Sequence, residues 1–213
     1  MLVEEVMQAK VIVLRPGDTV LHALQAAKAH RIRHLPVVEG EKLVGIVSDR
    51  DLRDVSPSVL CPERPELLET TRVEDIMKTR VITAHPLDTM DEAARLMYEH
   101  KIGCLPVVRG DEMVGIVTET DLLRALVELM GGAEPGSSLR VEVPHRPGSL
   151  AQVADIIQRH GVNLLSVLIT PAKDSNNRIL MIRVHTIAPQ GLIRDINAAG
   201  YQVVWPLSLE AGR

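Results

Sequence analysis

An α+β protein in three parts is predicted: two β-α-β-β-α repeats packed as a pseudo-twofold pair, then a βαββαβ unit. Three observations carry this. The stretch LPVVEGEKLVGIVSDRDL at residues 35–52 returns as LPVVRGDEMVGIVTETDL at 105–122. Extended back to Val3 and Val73, the copies align without a gap over 52 positions, 22 of them identical, so the chain holds an internal duplication. A Gly/Pro/Ser-rich stretch, GGAEPGSS at 131–138, then marks a boundary. Beyond it the hydrophobic period changes, and strand, helix, strand, strand, helix, strand follow in order. The divisions expected are repeat 1 at 1–55, a linker at 56–72, repeat 2 at 73–130, a flexible linker at 131–137 and the last unit at 138–213.

In repeat 1, Val3, Val6 and Met7 form a short leading segment. Residues 11–14 are an unbroken apolar run closed by Arg15-Pro16-Gly17, which predicts a buried strand. Asp18 or Thr19 offers an N-cap for a helix over 19–31 with Leu21, Ala23, Leu24 and Ala27 inward. Residues 35–38 and 43–47 predict an antiparallel hairpin around Glu39-Gly40-Glu41-Lys42. Gly45 interrupts its second strand, a sign that something approaches the backbone closely. Ser48 or Asp49 then caps a short helix through Asp54. Pro57, Pro62 and Pro65 break regular structure in the linker, with Leu60, Leu67 and Leu68 holding it to the surface. Repeat 2 has the same plan, with a longer last helix from Glu119 to Met130. One copy alone leaves a half-covered sheet. Two copies packed sheet to sheet would cover it and create two symmetric clefts.

In the last unit, residues 139–143 alternate as a strand. A helix begins at Pro147 or Ser149 and turns Leu150, Val153, Ala154 and Ile157 inward. Strands at 163–170 and 178–185, a helix at 189–199 and a strand at 201–205 complete a ferredoxin-like βαββαβ sandwich. One face of its sheet is left needing cover or a partner.

Composition narrows the function classes. The formal net charge is −4, with no basic footprint for nucleic acid. Tyr98, Tyr201 and Trp205 are the only aromatics, too few for a base-stacking platform. Cys61 and Cys104 lie outside any CxxC, which fits a reducing compartment. No apolar run reads as a signal peptide or a membrane span, so a cytoplasmic location is expected. His30 and His34, matched by His100 and Cys104, do not share a helical face and no carboxylate cluster joins them, so no metal site is expected. No P-loop, GxSxG elbow, HExxH or dinucleotide fingerprint is present.

Each hairpin ends in one polar signature, Gly45-Ile46-Val47-Ser48-Asp49-Arg50-Asp51 and Gly115-Ile116-Val117-Thr118-Glu119-Thr120-Asp121. A strand feeding a helix N-terminus offers free N–H groups to an anion, and Ser48 or Thr118 adds a hydroxyl. A carboxylate three residues on, Asp51 or Asp121, suits the two hydroxyls of a ribose. The same residues also suit a plain capping box.

These paired motifs resemble the CBS domain, in tandem as a Bateman module, from Val3 to about Leu126. The resemblance implies clefts for adenosine-containing ligands such as AMP, ATP or S-adenosylmethionine, an effector rather than a required cofactor. Carried over by position, Ser48 and Arg50 face phosphate and Asp51 the ribose, with Lys10, Ile12, Arg33, His34 and Pro36 as walls. The matches in copy two are Thr118, Thr120 and Asp121 with Arg80, Ile82, Gly103, Cys104 and Pro106. Because Arg33 and Arg50 are replaced by Gly103 and Thr120, the first cleft is expected to favour a phosphorylated ligand more strongly. Arg146-Pro147-Gly148-Ser149-Leu150 and Gly161-Val162-Asn163 resemble an ACT domain. That implies an amino acid held by Arg146, Pro147, Gly148, Leu150 and Asn163, with His145 standing where the family has Asp. Two CBS copies and one ACT domain together resemble the acetoin-utilisation CBS–ACT family. The expectation is a non-catalytic sensor, a homodimer, regulating an unknown protein in trans. The alternative is a small enzyme acting on a nucleotide or metabolite in a CBS-type cleft.

Overall fold

The computed structural model describes residues 1–55, 66–173 and 176–206. The expectations for Pro57, Leu60, Cys61, Pro62 and Pro65 therefore lie outside the described residues. The chain divides into two compact units, residues 1–123 and 124–213.

In the first unit the leading segment makes a one-turn helix, α1 (Val3–Val6). Helix α2 (Val20–His30) is N-capped by Thr19, whose hydroxyl accepts the His22 N–H. Its end is a left-handed residue that is not glycine, Arg31 at φ 54°. Strands β1 (His34–Glu39) and β2 (Lys42–Ser48) form the expected hairpin, and α3 (Asp49–Asp54) follows it. A short helix in the linker, α4 (Glu66–Thr70), was not expected; its Leu68 packs against the repeat-1 core while Leu67 stays exposed. Repeat 2 reproduces the plan: a 3₁₀ turn (Val73–Asp75), α5 (Met90–His100) capped by Thr89, β3 (Cys104–Arg109), β4 (Glu112–Thr118) and α6 (Glu119–Leu129). Lys101 repeats the left-handed end of Arg31, at φ 53°.

Residues 11–14 and 81–84 do not form the predicted strands. Each run makes one parallel bridge, Leu14 to Val37 and Ala84 to Val107. Only Leu14 and Ala84 are buried, and Ile12 and Val13 are exposed. Their apolar character serves a cavity wall rather than the core.

The leading segments change places. Val3 N–H donates to Asp88 O at 2.9 Å and Met90 N–H to Met1 O at 3.1 Å, so α1 docks on repeat 2. Val73 N–H donates to Asp18 O at 2.9 Å and Val20 N–H to Thr71 O at 3.0 Å, so the second leading segment docks on repeat 1. Val73 belongs to the repeat-1 core with Leu14, Val20, Leu35, Val37 and Leu52. Val3 and Val73 are both at 0% exposure. Full burial of such a side chain is worth about 1.5–3 kcal/mol and each backbone hydrogen bond about 1 kcal/mol, so burial and the several bonds of each segment both hold the exchange. The glycines that were expected to mark a close approach lie under the crossing chains. A Cβ on Gly45 would stand 2.6 Å from Met77 Sδ, and one on Gly115 2.6 Å from Met7 Sδ. The four strands run β1-β2-β4-β3, and the hairpins meet edge to edge where Lys42 pairs with Glu112, not by stacking sheet on sheet alone.

The second unit holds β5 (Ser137–Pro144), α7 (Ser149–Arg159), β6 (Leu164–Pro171), β7 (Asn177–Val184), α8 (Gln190–Ala198) and β8 (Gln202–Trp205). The sheet order β6-β7-β5-β8 is that of the ferredoxin-like sandwich. Val141, Val153, Ile157, Leu180, Ile182, Leu192 and Ile196 fill its core. Leu150, predicted to face inward, is exposed, and Ile156 takes its place. Helix α7 buries Ser149, Val153, Ile156 and Ile157, a face shifted from the predicted one. Hydrogen bonds hold the chain at Met130, just before the stretch 131–137 expected as a flexible linker, and at Glu134 within it. Ser166 Oγ donates to Met130 O at 2.9 Å and Arg183 Nη2 to Glu134 O at 2.7 Å.

Candidate functional site

In both repeats the polar signature folds as a capping box. Ser48 N–H and Oγ donate to Asp51 Oδ2 at 2.8 and 2.5 Å, and Asp51 N–H donates back to Ser48 Oγ at 3.3 Å. Thr118 and Asp121 repeat the pattern at 3.0, 2.6 and 3.3 Å. One oxygen of each carboxylate is thereby fixed. The other meets the exchanged leading segment: Lys78 Nζ lies 3.1 Å from Asp51 Oδ1, and Gln8 Nε2 donates to Asp121 Oδ1 at 2.9 Å. Gln8 and Lys78 are equivalent positions of the two copies, so the same place on the fold carries an amide in one and an ammonium in the other. Burial pushes the Asp51 carboxyl up, but the bonds from Ser48 and the Lys78 ammonium outweigh it and hold the group below its ordinary value.

Because the leading segments cross, each cleft is built from both repeats. Cleft A has a volume of about 310 Å³ and collects Ser48, Asp49, Arg50 and Asp51 with Lys78, Arg80, Val81, Ile82, Lys101, Ile102, Gly103, Cys104 and Pro106. Cleft B has a volume of about 410 Å³ and collects Thr118, Thr120 and Asp121 with Gln8, Lys10, Val11, Ile12, Arg31, Ile32 and Arg33. The grouping by repeat is thus corrected. Lys10, Ile12 and Arg33 share a cavity with Asp121, and Arg80, Ile82, Cys104 and Pro106 share one with Asp51. Pro36 is buried and is not among the residues lining either cavity; its carbonyl accepts the Leu14 N–H at 2.8 Å. The expected phosphate preference of one cleft rested on Arg33 and Arg50 acting together, and they lie in different clefts. With His34 neutral, cleft A sets Arg50, Lys78, Arg80 and Lys101 against two aspartates, and cleft B sets Lys10, Arg31 and Arg33 against one, so each lining has a surplus of two positive charges. Lys78, Lys101, Gln8 and Arg31 went unrecognised in the sequence, because their places depend on the exchange and on the left-handed turns after α2 and α5.

His34 and Gly103 line both cavities. A Cβ on Gly103 would stand 3.1 Å from His34 Cε1, so the imidazole closes against a bare backbone and forms a wall between the clefts. Burial, then the Arg33 charge, lowers the His34 pKa against the pull of Asp49, Glu119 and Asp51. The ring is therefore neutral at physiological pH, able to donate at one nitrogen and accept at the other. Burial, then the Glu119 carboxylate, pushes the Cys104 thiol up to about 12, which makes it a protonated wall residue rather than a nucleophile. Among the described residues no three His, Cys, Asp or Glu side chains are placed to hold a metal. No helix among them is long and apolar enough to cross a membrane.

In the second unit the predicted amino-acid site does not come together within one chain. Arg146, Pro147 and Gly148 follow the end of β5 where Pro144 pairs with Asn177. Asn163 lies at the other end, its carbonyl accepting the His185 N–H at 2.9 Å. The β7 strand between these ends has 8 residues.

The CBS-domain family model matches residues 3–58 and 73–128, and the ACT-domain model matches 137–199. A protein of Vibrio cholerae assigned to acetoin utilization, AcuB, is 37% identical, with a TM-score of 0.54 over 63% of this chain and 98% of that one. The CBS domain pair of protein MJ0100, solved with 5′-methylthioadenosine and S-adenosyl-L-methionine, is 29% identical, with a TM-score of 0.52 over 63% and 98% of the two chains. CBSX2, solved with AMP, is 29% identical, with a TM-score of 0.51 over 59% and 96%. With both repeats and the following unit matched, the chain belongs to the CBS-domain family, as a tandem CBS pair followed by an ACT domain.

Proposed function

We propose that this chain is a non-catalytic cytoplasmic sensor whose two clefts bind adenosine-containing effectors, adenine nucleotides or S-adenosyl compounds. The observation that carries the reading is the duplicated carboxylate grip. Asp51 and Asp121 are each oriented by a hydroxyl at the mouth of a basic cavity that also has an apolar wall, Ile82 in one and Ile12 in the other. A ribose diol suits the carboxylate, a purine the apolar wall, and a phosphate or carboxylate tail the cations. The ligands present in MJ0100 and CBSX2 support the class.

The ACT domain would join two copies or take a second small metabolite, an amino acid. Edge strand β6 leaves Leu164 and Ile169 exposed, and α6 presents Leu123, Leu126 and Val127, which supports a homodimer. Antiparallel pairing of two β6 strands would carry Asn163 of one copy toward the Arg146–Gly148 loop of the other. The likeness to AcuB points to acetoin or acetate metabolism as the setting, with the regulated protein supplied in trans.

Calorimetry with AMP, 5′-methylthioadenosine and S-adenosylmethionine tests the reading. Asp51→Ala should weaken cleft A and Asp121→Ala cleft B, each by about tenfold or more, the scale of a lost charge-assisted hydrogen bond. Failure of all three to bind, or their recovery in altered form, would overturn it.

A further inference from the structure

We infer that the open face of the ACT-domain sheet carries a separate site, for a small carboxylate with an apolar tail. Successive residues of a strand point to opposite faces. Leu139, Leu180 and Ile182 belong to the core beneath α7 and α8. Their neighbours Arg140, Met181 and Arg183 line a cavity of about 250 Å³ on the other face. Met130, Leu168 and Trp205 add to its apolar lining.

Charge defines the ligand. Two guanidiniums line the cavity and, among the described residues, no carboxylate does. Arg183 is held in place by its bonds to Ser138 Oγ at 3.2 Å and Glu134 O at 2.7 Å. Its Nε is buried and, among the described residues, has no hydrogen-bond partner. A buried N–H of a charged group without an acceptor is costly, and a carboxylate would remove that cost with a charge-assisted bond. An apolar tail would cover Leu168, Met181 and the half-exposed Trp205. The site is distinct from the Arg146–Gly148 loop: Ser138 pairs with Arg183 near the start of β5, whereas Pro144, at the loop end, pairs with Asn177.

Trp205 is the one tryptophan of the chain, so its emission reports on this cavity and not on the CBS clefts. The full-length protein is titrated with 4-methylpentanoate and, separately, with the uncharged 4-methylpentan-1-ol. A saturable change is expected with the acid and at least about tenfold weaker binding of the alcohol. Arg183→Gln should cost the acid about the same factor. Leu168→Phe, which fills the cavity and leaves both arginines in place, should abolish the response while the thermal midpoint is kept. Equal responses to acid and alcohol, no saturable response to the acid, or wild-type affinity in Leu168→Phe would overturn the inference. So would emission that follows protein concentration with no probe present, since a second copy would then occupy the face.

Discussion

On the proposed function, Asp51 and Asp121 would serve the fold and the ligand together. The oxygen bonded by Ser48 or Thr118 caps a helix; the other, held by Lys78 or Gln8, is the one a ligand would compete for. The capping-box reading and the ribose-grip reading of the sequence are therefore compatible. The cap makes a pH prediction. The folded pKa of Asp51 lies below its ordinary value of 3.8, so its stabilising contribution is complete above 3.8 and is lost as the pH falls through the lowered value. Urea midpoints of wild type and Asp51→Asn should differ at neutral pH, by about 1 kcal/mol in stability as for a lost cap. The gap should narrow as the pH falls below 3.8, and a gap that stays constant into strong acid would contradict the assignment.

At the scale of the element, the paired glycines of β2 and β4 carry the crossing chains. An added Cβ at Gly115 would stand 3.0 Å from Gln8 O, and at Gly45 3.2 Å from Lys78 O. The methionine sulfurs nearby can swing aside, whereas the carbonyls belong to bridged backbone. Gly115→Ala should therefore cost about 1–3 kcal/mol in urea unfolding, the range for overpacking, and exceed Gly45→Ala. It should also weaken ligand binding in cleft B, since it displaces Gln8. Gly45 was recognisable in the sequence as a site of close approach because a glycine inside a β-branched strand asks for a reason, and Gly115 is its equivalent in the second copy. The helix ends were not. Arg31 and Lys101 adopt a left-handed conformation that sequence reasoning reserves for Gly or Asn; each ends its helix as a C-cap, and each lines a cleft. Residues 11–14 misled for a related reason: their apolar side chains satisfy a strand pattern, but only one residue of the run enters the core.

For the whole molecule, the exchange of leading segments decides which residues act together, and a double-mutant cycle reads it directly. Ligand affinities of Asp51→Ala, Arg80→Ala and the double variant should show a coupling of about 0.5–3 kcal/mol, as for residues sharing one ligand. The cycle of Asp51 with Arg33, its own repeat's arginine, should be additive for cleft A to within about 0.5 kcal/mol. The reverse outcome would restore one cleft per repeat. His34 and Gly103, common to both linings, are the places where occupancy of one cleft would be felt in the other.

The sequence by itself determined the duplication, the hairpin and following helix of each repeat, the order of elements in the last unit, and a cap near Thr19 and Ser48, each one of two candidates. These are local matters: hydrophobic period, turn chemistry and capping act within a few residues, so one copy of the motif holds all the information. Which wall faces which aspartate was decided by tertiary structure alone. The two copies are near-equivalent, so a leading segment fits either hairpin by local criteria. In the structure Val3 is buried against repeat 2 and Val73 against repeat 1, the crossed arrangement. The same holds for Asn163 and the Arg146–Gly148 loop, which fall in two motifs separated by α7 and lie at opposite ends of a sheet, because the helix and the strand register set their distance.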